Sequence, residues 1–281
     1  MITAPFDYAA PESLDEAVRL LGEHGEDAKL LAGGHSLLPL MKVRLAAPSM
    51  LVDLRRVPGL SGVERANGGW RIGAMTRHVE LQDSPELGVV SRAASLIADQ
   101  QVRNRGTIGG SLAHGDPASD LPAVVLAYEG ELAVRGASGE RTIPAADFFR
   151  DYLTTALAPD EVVTEVRLPA LEGWGFGYQK FTRRAEDWAM VGVCALVKKG
   201  VGGECEDVRV GLTHMASTPL RATGVEDTLR GGSLEPRSIA SAAEHAAAGT
   251  DPPGDLNATP EYKRHLARVL TRRALEEAAA G

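Results

Sequence analysis

Two short passages hold the residue types that bind an anion without a charged side chain: Ala32-Gly33-Gly34-His35-Ser36 and Thr107-Ile108-Gly109-Gly110-Ser111. Each is a glycine pair with a serine hydroxyl close behind. Glycines after a strand let the backbone enter conformations closed to other residues. They also remove the side chains that would hold a ligand away, so that successive N–H groups can converge on phosphate. A helix that follows adds its positive end. Either passage alone reads first as a tight turn with no ligand. Two of them, about one subdomain apart, read as the two halves of a grip on a diphosphate. Neither is G-x-G-x-x-G and neither contains the G-K-S/T of a P-loop, so neither a Rossmann fold nor an NTPase is expected.

The charge balance gives such turns a task. With 38 acidic and 30 basic side chains the formal net charge is -8. No overall field draws the chain onto nucleic acid or an anionic membrane, and any phosphate must be held locally. The 281 residues are 44% hydrophobic and 24% charged, enough for one large core or two smaller ones. Two cysteines, Cys194 and Cys205, are too few for the four ligands of an iron-sulfur cluster and do not form a secreted disulfide framework. His35, His78, His114 and His214 have no metal-ligand spacing with one another. The first residues, MITAPFDYAAPESLDEAV, are acidic and carry early prolines where a signal peptide needs a basic start and an apolar run. No apolar stretch reaches membrane-spanning length. A cytoplasmic protein is expected.

The elements that position the two turns follow from periodicity. Residues 13–25 read as an amphipathic helix capped by Ser13, with Glu16 three residues on. Residues 29–32 read as a strand running into the first glycine pair, and residues 49–54 and 70–75 as further strands, the last after the turn Asn67-Gly68-Gly69. A helix is expected over 86–101. The glycine-rich passage RNRGTIGGSLAHGDPASDLP that follows reads as a functional loop before an apolar helix over 123–128. Residues 131–134 and 161–168 read as strands of one sheet. After a break at 169–177, runs at 176–183, 190–198 and 208–215 suggest an antiparallel meander. The tail from 238 is helical, with Tyr262, Leu266, Val269, Leu270 and Leu275 on one face of 261–279. A domain boundary is expected near residue 172.

AGGHSLLPLMKVRL, LVDLRRVPGL and QVRNRGTIGGSLAHGDPASDLP, together with YQKFTRRAEDWAMVGVCALV, resemble the FAD-binding medium subunit of molybdenum hydroxylases. That group contains aerobic carbon monoxide dehydrogenase and xanthine dehydrogenase. The resemblance covers nearly the whole chain. It implies an α+β protein. Residues 1–172 would form a two-subdomain FAD-binding domain of the vanillyl-alcohol-oxidase (PCMH) type, with subdomains of about 1–57 and 58–172. Residues 173–281 would form a smaller domain of three antiparallel strands and a helical bundle.

By the same resemblance, Ala32, Gly33, Gly34, His35 and Ser36, with Leu31, make one diphosphate turn, and Thr107, Gly109, Gly110 and Ser111 the other. Asp120 matches a carboxylate that contacts FAD. An ionised carboxylate only accepts hydrogen bonds, which suits sugar or ribityl hydroxyls, although Asp120 also stands where a helix cap would. Lys180 matches a lysine near the flavin, where an ammonium offsets negative charge on the reduced ring. Val163 matches a backbone contact. Trp188 reads either as an indole stacked on the flavin or as a structural tryptophan. FAD is expected to be noncovalent, which argues against attachment through His35.

The resemblance further implies an electron-transfer subunit. Electrons would arrive from 2Fe-2S clusters on a small partner subunit and leave through FAD to an external acceptor, while a large subunit carries the molybdenum cofactor, in a dimer of heterotrimers. The rivals are a stand-alone flavin oxidase acting directly on a small molecule, and a nucleotide-binding module without flavin. Substrate and final acceptor are not written in this chain.

Overall fold

The computed structural model describes residues 2–281 and places three sheets around a common junction. The chain begins with strand β1 (Asp7–Ala9), helix α1 (Leu14–His24), β2 (Ala28–Leu31), α2 (Leu37–Lys42) and β3 (Met50–Asp53). The strands pair in parallel in the order β1-β3-β2. Helix α1 starts where its chemistry says it should: the Ser13 side chain accepts from the Glu16 N–H. It buries Ala17, Val18 and Leu21, one stripe of a 3.6-residue period, against the small core that also holds Val52 and Leu54.

A second sheet is antiparallel, in the order β4-β5-β10-β6-β7. Its strands are β4 (Val63–Ala66), β5 (Gly69–Gly73), β6 (Glu131–Gly136), β7 (Gly139–Pro144) and β10 (Val162–Pro169). Asn67 and Gly68, at φ 51° and 73°, make the β4–β5 hairpin turn, the left-handed pair that Asn-Gly favours. Between β5 and β6 run α3 (His78–Gln82), α4 (Val89–Ser95), α5 (Gln100–Arg103), α6 (Ile108–His114) and α7 (Asp120–Ala127). The continuous helix expected over 86–101 is therefore broken. Ala98 sits at φ 42°, and Asp99 opens the next helix by accepting from the Val102 N–H at 2.9 Å. The loop expected over the glycine-rich passage folds instead into α6, capped by Thr107. A short helix α8 (Ala145–Phe148) and a small hairpin, β8 (Phe149–Asp151) with β9 (Thr154–Thr155), lead into β10.

The last sheet has four strands, not three: β11 (Trp174–Phe181), β12 (Val191–Lys199), β13 (Cys205–Thr213) and the two-residue edge β14 (Leu220–Arg221). Two residues behind a proline leave no alternation to read. On β12, Cys194 and Leu196 enter the core shared with α4 and α7, while Val191, Val193, Ala195 and Val197 enter a second core. That second core is closed by α9 (Thr223–Leu229), α10 (Pro236–Ala243) and α11 (Pro260–Ala280). Burial on both faces explains the unbroken apolar run of β12. On α11 the buried stripe is Lys263, Leu266, Ala267, Leu270, Thr271, Ala274, Leu275 and Ala278. Tyr262 is 43% exposed and lies edge-on to Phe181, so it leaves the face assigned to it from periodicity, and Lys263 takes the buried place.

Candidate functional site

Where the three sheets meet there is a cavity of about 770 Å³, within the usual range for a small-molecule or cofactor site. Its wall is assembled from distant parts of the chain. The turn after β2, the first residues of α6 and α7, Val163 on β10, Lys180 on β11 and residues 186–188 all line it.

The first turn has the character its glycines predict. The N–H groups of Gly33, Gly34, His35 and Ser36 find no acceptor among the described residues, and Gly34 stands at φ 78°. A Cβ on Gly33 would overlap the Arg105 carbonyl and stand 2.7 Å from Gly106 Cα. That glycine therefore lets the first turn lie directly against the segment that leads into the second. The two motifs touch, rather than facing each other across a gap.

The second motif differs from expectation in its donors. The N–H groups of Ile108 and Gly109 donate to the Thr76 and Ala74 carbonyls at 3.0 and 2.8 Å. Those of Gly110 and Ser111 donate to Thr107 Oγ1 and Thr107 O at 3.2 and 3.0 Å. Carbonyls of the 74–76 segment, the Thr107 cap and one helical bond have used the backbone donors at this helix start. What remains is hydroxyl chemistry. Ser111 Oγ has no partner among the described residues, and Thr107 Oγ1, which accepts from Gly110, keeps its own proton to give. Gly109 serves close packing, since a Cβ there would stand 2.5 Å from the Ala74 Cβ.

Asp120 does not cap α7; Ser119 holds the cap position. Its carboxylate is turned into the junction, where Tyr178 Oη donates to Oδ1 at 2.7 Å and Lys180 Nζ donates to Oδ2 at 2.9 Å. Lys180 also donates to the Leu96 carbonyl at 2.9 Å. Burial pushes the Asp120 carboxyl above the ordinary aspartate range, against the opposite pull of Lys180 and of the Tyr178 hydrogen bond. Burial, reinforced by Asp120, pushes the Tyr178 phenol far up, so the phenol keeps its proton and donates. Lys180 is thus a buried, fixed cation and not a solvated strand lysine.

Val163 lies beside the irregularity where the β10–β6 register skips between Val163 and Glu165, a bulge that disturbs the ladder next to the cavity. Trp188 is 56% exposed and lines the cavity. Every candidate from the sequence lines the cavity except Leu31. The Leu31 side chain is directed toward Gly34, with Cδ1 3.2 Å from where a Cβ on that glycine would stand. His35 is exposed. The sequence reading missed Tyr178, although its place two residues before Lys180 on one strand puts both on the same face. His78, His114 and Ile97, also on the wall, gave no sequence signal. Burial holds the His78 imidazole down, to about 4, with His35 and Arg103 adding to the effect. His114 is lowered too, by burial against the pull of Asp116.

Residues 4–171 match the family described as the FAD binding domain in molybdopterin dehydrogenase, and residues 176–278 match the CO dehydrogenase flavoprotein C-terminal domain. The carbon monoxide dehydrogenase medium chain of Hydrogenophaga pseudoflava is 44% identical, over 99% of this chain and 98% of that protein. The 6-hydroxypseudooxynicotine dehydrogenase complex subunit alpha of Paenarthrobacter nicotinovorans is 38% identical, over 97% of this chain and 94% of that protein. The fold matches a solved structure of carbon monoxide dehydrogenase from Hydrogenophaga pseudoflava with a TM-score of 0.96 at 44% identity, covering 100% of this chain and 99% of that one. With both family descriptions met in order along its length, the chain belongs to the FAD-binding subunits of the molybdopterin dehydrogenases.

Proposed function

We propose that this chain is the electron-exit subunit of a cytoplasmic molybdenum hydroxylase complex, assembled as two copies of each of three chains. Residues 1–172 would form the flavin-binding part and 173–281 the C-terminal part. The observation that carries the reading is a turn with four N–H groups unpaired among the described residues on the wall of a cavity of about 770 Å³ that is also lined by a buried ammonium. That donor set fits FAD, with neutral dipoles for the diphosphate and one fixed cation for the ring. When bound, FAD takes electrons singly or in pairs and so joins one-electron centres to a final acceptor.

The chain's own residues divide the work of holding it. The N–H groups of residues 33–36 and the Ser36, Thr107 and Ser111 hydroxyls take the diphosphate. Asp120 accepts from sugar or ribityl hydroxyls through lone pairs that Tyr178 and Lys180 leave free. Lys180 offsets negative charge on the reduced ring, Val163 offers backbone, and Trp188 covers one side. Cys194 and Cys205 are both buried and free, and no cluster of metal-binding side chains occurs among the described residues. The 2Fe-2S clusters and the molybdenum cofactor belong, on the family likeness, to the small and large partner chains, and the large chain selects the substrate.

The test is to purify the chain alone and co-expressed with the two partner chains, then to record visible absorption and the mass of the acid-released cofactor. A yellow complex of all three chains that releases FAD is expected, with a lone chain that takes up added FAD. Colourless protein that refuses FAD would overturn the flavin assignment. A yellow chain that never joins the partners and oxidises a small molecule alone would instead overturn the electron-exit role.

A further inference from the structure

We infer that His214, which does not line the cavity, is the positioning residue that pins the Trp188 segment and the Asp120 loop to one another and so fixes two walls of the site. Its backbone stands at φ 63°, a left-handed conformation uncommon for any residue but glycine. Three contacts hold it. Its N–H donates to the Pro117 carbonyl at 2.8 Å, three residues before Asp120. Its Nδ1 lies 2.8 Å from the Ala189 carbonyl, next to Trp188. Its Nε2 lies 3.4 Å from Lys263 Nζ.

Lysine has protons to give and no lone pair to receive one, so Nε2 is the acceptor and Nδ1 carries the hydrogen that Ala189 takes. The tautomer follows from the neighbour. Lys263 is fully buried on α11 and ion-paired to Asp255 at 2.7 Å. Burial lowers the proton affinity of the His214 ring. The Ala189 carbonyl, Asp255 and Asp116 oppose that shift, and Lys263 adds to it. The neutral ring is therefore held between a buried cation and a carbonyl. Ala189 is 1% exposed, whereas residues 186–188 on its near side line the cavity. The segment is also held by two backbone bonds, Met190 N–H to the Phe181 carbonyl at 2.9 Å and Asp187 N–H to the Arg184 carbonyl at 3.1 Å.

Two substitutions separate the side-chain pin from the backbone strain. His214→Gly relieves the left-handed φ but loses the donor. His214→Asn tolerates that φ and places an amide N–H where Nδ1 was. Amide hydrogen exchange is measured on the full chain, with and without added FAD, at Asp187 and Met190 on one wall and at Ala118 and Ser119 on the other. In His214→Gly the Asp187 and Met190 amides should exchange at least about fivefold faster, the worth of one hydrogen bond, while the Ala118, Ser119 and β12 amides stay unchanged, because the main-chain N–H at position 214 still donates to the Pro117 carbonyl. His214→Asn should return Asp187 and Met190 to within about twofold of the parent, since its donor is restored. Parental exchange of that pair in His214→Gly, acceleration spread equally over β12, or an Asn variant as fast as the Gly variant would each overturn the inference. Because the protein without flavin gives the reading, failure of the FAD assignment and failure of this pin are distinguishable.

Discussion

Lys180 Nζ and Asp120 Oδ2 lie 2.9 Å apart with side chains only 5% and 3% exposed. Between them they join strand β11 to the start of α7, two elements 60 residues apart in sequence. A buried pair of this kind is costly to break on one side only, because the partner is left charged without water. Lys180→Met should therefore destabilise the flavin-free protein by about 3–5 kcal/mol near neutral pH. Asp120→Asn, which keeps an oxygen for the Tyr178 hydroxyl, should cost less. In the double variant the losses should be far less than additive, since neither charge remains. Denaturant titration of the four proteins checks this, and strict additivity would show that the two side chains act independently.

Gly33 meets backbone and Gly22 meets nothing. A Cβ on Gly33 would overlap the Arg105 carbonyl, whereas one on Gly22, exposed on α1, has no atom within 4 Å. Gly33→Ala should force the first turn away from the second and weaken FAD binding by more than about tenfold, roughly 1.4 kcal/mol. Gly22→Ala should leave FAD binding unchanged and stabilise the fold by about 0.5–1 kcal/mol through helix propensity. Fluorescence titration with FAD measures the first effect and thermal melts the second. Equal FAD affinity in the two variants would remove Gly33 from the site.

The cysteines provide a contrast in reactivity. Burial raises the Cys205 thiol to about 11, helped by Asp207 and opposed by Arg230. Burial raises Cys194 further still, against a weaker pull from Arg221. The thiolate is the reactive form, so neither should be alkylated in the native protein at neutral pH and both should be alkylated in denaturant. Mass spectrometry after a timed pulse of iodoacetamide gives the answer. Cys194→Ala should retain FAD, since the side chain sits in the core shared with α7 and away from the cavity wall.

Local chemistry was readable in the sequence, and contacts between distant segments were not. Ser13 caps α1 as expected because the accepting oxygen and the N–H that donates to it are three residues apart. The unbroken apolar run of β12 and the spacing of α11 likewise show most of what those elements bury, Tyr262 and Lys263 excepted. Strand β7 escaped notice because its burial is nearly all solvent-side, with Ile143 alone buried. Such an edge strand has no apolar alternation to display. The same limit applies within the site. Glycine pairs announce a turn, yet only the fold reveals that the Ile108 and Gly109 N–H groups are spent on Thr76 and Ala74. Tyr178 reaches Asp120 across 58 positions, a pairing that no window of sequence contains.

The remaining prediction concerns acid. His78 is 5% exposed, lines the cavity, and has an Nδ1 without a partner among the described residues. With burial the leading cause, its folded value falls from 6.5 to about 4. Above pH 6.5 the ring is neutral in both folded and unfolded chains and contributes no slope. Between 6.5 and about 4 the unfolded chain takes up a proton that the folded chain refuses, so stability falls as pH falls across that window. The loss approaches about 3 kcal/mol by the lower end. His78→Leu removes the titrating group without stranding a hydrogen-bond partner. Its stability should therefore decline less steeply than the parent's from pH 6.5 to 4.5. The slope should flatten rather than vanish, because His114 and His214 are also lowered. Denaturation midpoints at half-unit pH intervals decide it: parallel curves for parent and variant would mean that His78 is charged in the folded protein and that its burial does not control its proton.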